Sequence, residues 1–320
     1  MKKLKWGMIG TGSVTEVKSG PGFYKSENSI LYGVYNRNKD KAFDWAKRHS
    51  IDKVYNTIDE MLTDENIDAV YIATPPNVHK EYAIRCLEAG KIPYIEKPMA
   101  LDYNECLDIL RVSKEKEIPV YVAFYRRGME KYIRIKEMLD EGILGDIRYV
   151  EVRQIMKPED TDFNRDKLPW RVRAEVAGGG KFLDMGVHVL DILDFFLGHI
   201  IEARGEATNL GNFYDVEDTV SASFIFKNGV IGNGMWCYVA GHEEEYVKIV
   251  GDKGYMTFEG LGYGPVKVYK DDGVQEFQFK SPEHVAQPYI QQVVNEIIGL
   301  KKSNANAESA ANVTKITDEI

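Results

Sequence analysis

The segment Gly178-Gly179-Gly180-Lys181-Phe182-Leu183-Asp184-Met185-Gly186-Val187-His188 sets a carboxylate four residues before an imidazole, behind a triple-glycine turn. On a helix that spacing puts Asp184 and His188 on one face, one turn apart. A carboxylate there orients the ring and raises its basicity, and histidine titrates near neutral pH, so the pair can move a proton. Lys97 is the second group with chemistry to offer. It follows the apolar run Tyr94-Ile95-Glu96 and precedes Pro98, which holds it extended. An ammonium at a strand end can polarise a hydroxyl or carbonyl and stabilise an alkoxide. Each feature alone also fits a bland reading, a packed histidine or a surface lysine, so the elements that carry them decide their weight.

Those elements alternate through the first 120 or so residues. Short β-rich runs at Lys5–Ile9, Ile30–Tyr35, Ala69–Ala73, Tyr94–Glu96 and Val120–Phe124 are separated by helical patterns. The helical patterns are Asp40–His49, Ile58–Thr63, Asn77–Ala89 and Tyr103–Glu117. This βαβα rhythm predicts a doubly wound parallel sheet with helices on both faces. The expected first helix is odd: Gly20-Pro21-Gly22 interrupts it and should kink or shorten it.

The pattern then changes. Glu130–Gly142 reads as a helix, Ile147–Ile155 as a strand, and Pro158–Pro169 as a polar loop before the glycine turn and its helix. From Ile200 to Phe279 come strands with hairpin signals at Lys227-Asn228-Gly229, Gly251-Asp252-Lys253-Gly254 and Asp271-Asp272-Gly273. A helix over Val285–Leu300 and a short final helix close the chain. We therefore expect two α/β domains: a dinucleotide-binding one over residues 1–122, and a substrate-binding and oligomerising one over 123–320 with a large, mostly antiparallel sheet.

Gly10-Thr11-Gly12-Ser13-Val14-Thr15 follows the first strand and opens a helix, the context a dinucleotide fingerprint requires. Gly10 permits the tight turn, and Gly12 lets the backbone approach a pyrophosphate at the helix start, where Ser13 and Val14 lie. Thr15 stands at the third glycine position and should loosen the helix-to-strand fit. The second strand ends in Asn36-Arg37, with no acid to hold a ribose 2′-hydroxyl. Arg37 can accept a 2′-phosphate, so the expected cofactor is NADP or NAD, leaning to NADP. Thr74-Pro75-Pro76-Asn77-Val78-His79 leaves another strand end and should border the cofactor. Asn77 can cap the next helix. His79 reads as a surface residue of that helix, with a ribose contact as the alternative. Glu96 and Lys97 would border the nicotinamide half.

Taken together, these landmarks resemble the Gfo/Idh/MocA oxidoreductase family, named for glucose-fructose oxidoreductase and inositol dehydrogenase. The resemblance runs end to end, through Gly10-Thr11-Gly12, Ala73-Thr74-Pro75-Pro76-Asn77-Val78-His79, Glu96-Lys97-Pro98, Gly142-Ile143-Leu144-Gly145, and Gly179-Gly180 to His188. It implies a Rossmann domain plus a C-terminal α/β domain whose open sheet makes a dimer or tetramer interface. It also implies a lysine that contacts substrate and nicotinamide, often before a cis proline, and an Asp and His that bind substrate hydroxyls and move the proton. These fall on Lys97, Asp184 and His188. The expected reaction is hydride transfer between nicotinamide and a secondary alcohol or carbonyl of a sugar, cyclitol or polyol. Trp170 could stack on a sugar ring, Arg171 or Arg173 could bind hydroxyl or acid groups, and Tyr125 could face the substrate. Lys18 could reach the site if the first helix kinks. Competing readings are an NAD-using glycosidase of the same fold, a non-catalytic NAD(P) or sugar sensor, and a reductase of non-sugar carbonyls such as dihydrodiols.

Composition narrows the classes. Hydrophobic residues make up 44% and charged residues 28% of 320 residues, ordinary for a globular enzyme. A net charge of -9 argues against a partner held by phosphate neutralisation. No apolar run reaches membrane-spanning length, and the basic N-terminus lacks a long apolar stretch. Cys86, Cys106 and Cys237 are odd in number and widely spaced, so they predict neither a disulfide framework nor a metal site, and a cytoplasmic location.

Overall fold

The computed structural model describes residues 3–320. The chain forms two compact units. The first holds the residues up to Met129 together with Ser281–Ala310; the second holds Glu130–Lys280 and Ala311–Ile320.

In the first unit the order is β1 (Leu4–Ile9), α1 (Ser13–Glu16), α2 (Gly20–Lys25), β2 (Ser29–Tyr35), α3 (Lys39–Arg48), β3 (Lys53–Val54) and α4 (Ile58–Thr63). Then come β4 (Ala69–Ile72), α5 (His79–Glu88), β5 (Ile92–Ile95), α6 (Tyr103–Lys116) and β6 (Tyr121–Val122). The sheet order is β3-β2-β1-β4-β5-β6, and every pairing is parallel. Strand order reverses between β1 and β4, which opens the ligand crevice of a doubly wound sheet at their carboxyl ends. Helix starts follow local chemistry: Asn38, Thr57 and Asp102 accept the third backbone N–H of α3, α4 and α6.

Two sequence expectations need correction here. The two-residue β3 was not read as a strand; it is too short to show a period. The helix over Val285–Leu300, seen as α10 (Gln287–Ile297), belongs to the first unit and not the second. Its apolar stripe, Tyr289, Ile290, Val293 and Val294, is buried with Trp6, Phe23, Tyr71 and Tyr94 of the Rossmann core. Short α1 and α2 replace one long crossover helix, and α10 completes the cover. Tyr289 donates to the Val122 carbonyl at 2.9 Å, tying α10 to β6.

The second unit contains α7 (Glu130–Asp140), β7 (Ile147–Ile155), α8 (Ala174–Ala177), α9 (Val187–Leu197) and strands β8 (Ile200–Thr208), β9 (Thr219–Phe226) and β10 (Ile231–Cys237). It continues with β11 (Glu244–Gly251), β12 (Gly254–Phe258), β13 (Val266–Lys270) and β14 (Gly273–Phe277). A last helix, α11 (Ala307–Glu319), begins in the first unit's segment and ends in the second's. The eight strands form one open sheet, β14-β13-β12-β11-β7-β10-β9-β8, antiparallel except where β10 meets β7. All three hairpin signals join antiparallel neighbours.

One face of this sheet packs on α9, for example through Phe196 against Phe258. Register sends a row to the other face: Ile225, Ile231, Tyr149, Val250, Tyr255, Tyr269 and Val274, across seven strands. Ile231 and Val274 are more than half exposed. No helix among the described residues is long and apolar enough to cross a membrane.

Candidate active site

The glycine loop leaves β1 at Gly10, whose φ of 100° belongs to the left-handed region. A Cβ there would lie 2.4 Å from the Ala73 carbonyl oxygen, so the loop can lie on the end of β4 only with glycine. At Gly12 a Cβ would meet nothing within 4 Å. Thr74 Oγ1 is buried and has no hydrogen-bond partner among the described residues. An open backbone cradle beside a buried, unmatched hydroxyl, at the carboxyl ends of parallel strands, fits a dinucleotide. Thr15 is fully buried, and its hydroxyl donates to the Gly12 carbonyl at 2.7 Å. The expected loosening at this position is therefore replaced by a hydrogen bond that closes the turn.

Asn36 donates to Thr11 Oγ1 at 2.7 Å, so the end of β2 is tied to the glycine loop. Arg37 beside it is exposed. Ser13 is exposed, Val14 packs against the core, and Pro75 is partly buried. Asn77 is exposed and does not cap α5, whose N-cap is Val78 without a side-chain bond; a 3-10 turn over Pro76–Val78 takes up the start instead.

His79 is not a surface residue. It is fully buried, with Nδ1 2.9 Å from the Pro98 carbonyl oxygen and Nε2 2.8 Å from the Thr74 carbonyl oxygen. Both ring nitrogens face backbone, which leaves the ribose alternative no atom to use. Burial, reinforced by the Lys97 ammonium, lowers its pKa to about 4. At neutral pH the ring thus holds one proton and donates to one of the two carbonyls. The helical period suggested exposure, but the turn at Pro76 rotates His79 under the strand ends.

Lys97 lies just past β5, partly exposed, and the Lys97-Pro98 peptide is cis. The Glu96 carboxylate beside it accepts from the Tyr71 hydroxyl at 2.5 Å, and Ser19 Oγ lies 2.8 Å from that hydroxyl. This buried chain links α2's start to the Glu-Lys-Pro strand end. Sequence reading missed it, because nothing in the pattern marks Tyr71 as more than a core aromatic. Tyr125 opens a 3-10 turn and accepts from Arg126 Nη1 at 2.9 Å. Lys18 is exposed.

In the second unit Asp184 and His188 do not share one uninterrupted α-helix. Asp184 sits in a π-helical turn over Phe182–Gly186, closed by Val187 N–H to Phe182 C=O, and α9 starts at Val187. Phe182 anchors the wide turn: its ring meets Trp236 edge-on at 4.9 Å and fills the space a Cβ on Gly186 would need. Such turns cluster at functional sites because they re-aim side chains. His188 is 7% exposed, on the first turn of α9. Asp184 forms an ion pair with Arg171, Nε to Oδ2 at 2.8 Å. The Arg171 guanidinium in turn lies over the Trp170 ring, 4.8 Å from its centroid. Arg171 therefore covers one face of the indole that a sugar would use. Arg173 points away from this group and donates to the Leu168 carbonyl at 2.8 Å.

Two of the three glycines, Gly179 and Gly180, allow close packing against Glu217, while Gly178, with φ 85°, caps α8 in the left-handed region. A Cβ on Gly180 would lie 2.1 Å from the Glu217 carbonyl oxygen, and Gly180 N–H donates to Glu217 Oε1 at 2.6 Å. Burial pushes the Glu217 carboxyl above its usual range. Lys181 and Asp162, both buried, pair at 2.5 Å and pin the preceding loop to this turn. Among the described residues no group of three or more His, Cys, Asp or Glu could hold a metal ion.

A doubly wound sheet with this glycine loop, joined in one chain to a mostly antiparallel eight-stranded sheet, defines a two-part architecture with a Rossmann-type nucleotide-binding half. The chain belongs to the Gfo/Idh/MocA family: its NAD-binding Rossmann-fold profile matches residues 4–124 and its C-terminal-domain profile residues 132–257. Oxidoreductase P35 of Formosa agariphila is 35% identical over 99% of this chain and 98% of its own. Myo-inositol 2-dehydrogenase of Thermotoga maritima is 24% identical over 84% of this chain and 79% of its own. Among solved structures, KijD10, a 3-ketoreductase from Actinomadura kijaniata in complex with TDP-benzene and NADP, superimposes with a TM-score of 0.82. It shares 19% identity, with 99% of this chain and 96% of that one covered.

Proposed function

We propose that this protein is an NAD(P)-dependent dehydrogenase or reductase acting on a secondary alcohol or carbonyl of a sugar, cyclitol or related polyol. What supports the reading is three groups, each placed within its own unit: in the first, Lys97 just past β5, at the strand ends that carry the glycine loop; in the second, Asp184 in the π turn and His188 on the first turn of α9. When bound, the nicotinamide donates or accepts the hydride. Lys97 donates a hydrogen bond to the reacting oxygen and stabilises its alkoxide character. His188 takes the hydroxyl proton in oxidation and returns it in reduction. Asp184, held by Arg171, accepts from a substrate hydroxyl and fixes the reacting carbon. A myo-inositol dehydrogenase among the relatives supports the polyol class.

A screen of sugars, cyclitols and sugar acids with both cofactors, followed by nicotinamide absorbance, tests the reading. Lys97→Ala and His188→Ala should each lower kcat/KM by about 10³-fold with folding intact by circular dichroism. Retained turnover in either variant would remove that residue's role.

For the cofactor we favour NADP, from Asn36-Arg37 at the end of β2 and the exposure of Arg37. Arg37→Ala should raise the KM for NADP roughly tenfold or more and leave that for NAD within twofold. Equal changes for both cofactors would discard this preference. For assembly, we propose that a second copy covers the outer face of the eight-stranded sheet, giving a homodimer or homotetramer.

A further inference from the structure

We propose that His79 is a positioning residue for Lys97, a fixed strut between the two strand-end loops that border the reacting end of the cofactor site. The inference rests on the role given to Lys97 above. The imidazole touches one loop at the Thr74 carbonyl and the other at the Pro98 carbonyl, the residue after Lys97. Both contacts are within 2.9 Å, and the ring is fully buried. Among the described residues its side chain makes no other polar contact: the neutral ring donates to one of the two carbonyls and packs closely against the other, so it spans the gap between the two backbones with one hydrogen bond and one close contact. The ring is rigid and has two acceptor-facing edges on opposite sides, so it fixes distance and direction together. No aliphatic side chain of that volume does both. Lys97 is one peptide from the clamped carbonyl, so a shift of Pro98 moves the root of the lysine side chain. Misplacement of a reacting group by as little as an ångström can cost a large factor in rate.

A second positive charge beside the Lys97 ammonium would repel it, and the burial described above keeps His79 uncharged at neutral pH. The strut therefore holds the lysine in place without competing with it for an oxyanion.

The test uses the whole chain with His79→Phe, which fills the space without a hydrogen bond, and His79→Asn and His79→Gln, which keep an amide NH₂ donor. Lysine acetylation is followed residue by residue by mass spectrometry, with Lys80 and Lys91 of the same unit as internal references. His79→Phe should change the labelling rate of Lys97 at least threefold and leave Lys80 and Lys91 unchanged. Its kcat should fall at least tenfold, with substrate KM and nucleotide Kd within twofold, and the amide variants should recover part of the loss. Unchanged Lys97 labelling in folded variants overturns the proposal. So does a rise in nucleotide Kd with kcat preserved, which marks a structural role only. If His79→Phe does not fold, the amide variants carry the labelling comparison. If the wild-type chain turns over no substrate, the catalytic reading of Lys97 fails, while labelling still decides whether His79 places it.

Discussion

Folding displaces the proton equilibrium of His79. Its pKa of about 4 in the folded chain lies below the ordinary 6.5, because burial disfavours the imidazolium. The unfolded chain therefore binds a proton between those values that the folded chain does not. The stabilising contribution is complete above pH 6.5 and disappears as pH falls towards 4, by an amount on the order of 3 kcal/mol. Urea unfolding at pH 7 and at pH 4.5 should show this loss in the wild-type chain and a clearly smaller one in His79→Gln. An equal loss in both would show that other groups govern the acid limb. Carboxylates such as Glu16, whose pKa is lowered first by its Arg48 hydrogen bond, act below their ordinary 4.5 and so outside most of this window. The histidine also marks a limit of sequence reading. Its identity was visible, but its burial depends on a 3-10 turn that two prolines impose before α5.

At the scale of elements, the segment from Gly178 to Leu197 shows what patterns reveal and what they hide. The glycines and the apolar helix were legible because composition and period carry them. Two features were not. One is the π turn at Phe182–Gly186, which depends on the Phe182 ring lodging between Gly186 and Trp236, fifty residues further on. The other is the reason for Gly179 and Gly180, which is the close approach of Glu217. Gly180→Ala should therefore cost at least about 2 kcal/mol, since the new Cβ overlaps a backbone oxygen that cannot swing away. The corresponding fall in Tm is roughly 4–8 °C by differential scanning calorimetry. An unchanged Tm would mean that the turn and β9 separate freely. The βαβ alternation was legible down to single residues for α4, whereas β3 and the π turn needed tertiary contacts to exist at all.

For the whole molecule, the outer face of the eight-stranded sheet carries a row of partly exposed apolar side chains. Its cross-strand row runs from Ile225 to Val274 and includes the stacked Tyr255–Tyr269 pair, with ring centroids 4.4 Å apart. A face of this kind on a sheet already covered on its other side calls for a partner. A charge at its middle tests the proposed assembly: Ile231→Glu with Tyr149→Glu should give the mass of one chain by light scattering, where the proposed wild-type assembly would give two or four. A wild-type monomer at micromolar concentration would end the proposal.

The division of the chain was the feature least visible from sequence, because α10 carries an amphipathic pattern that names no partner. The first unit is written in two instalments, one before Met129 and one after Ser281, with the second unit's sheet between them. On the ribosome this delays closure. Trp6, Phe23 and Tyr71 emerge early, but the side chains that seal them, Tyr289 to Val294, are added only near the end. At about 5–20 residues per second, the interval between Tyr71 and Tyr289 is roughly ten to forty seconds. Throughout it the nascent first unit carries an aromatic face that its own fold does not yet cover.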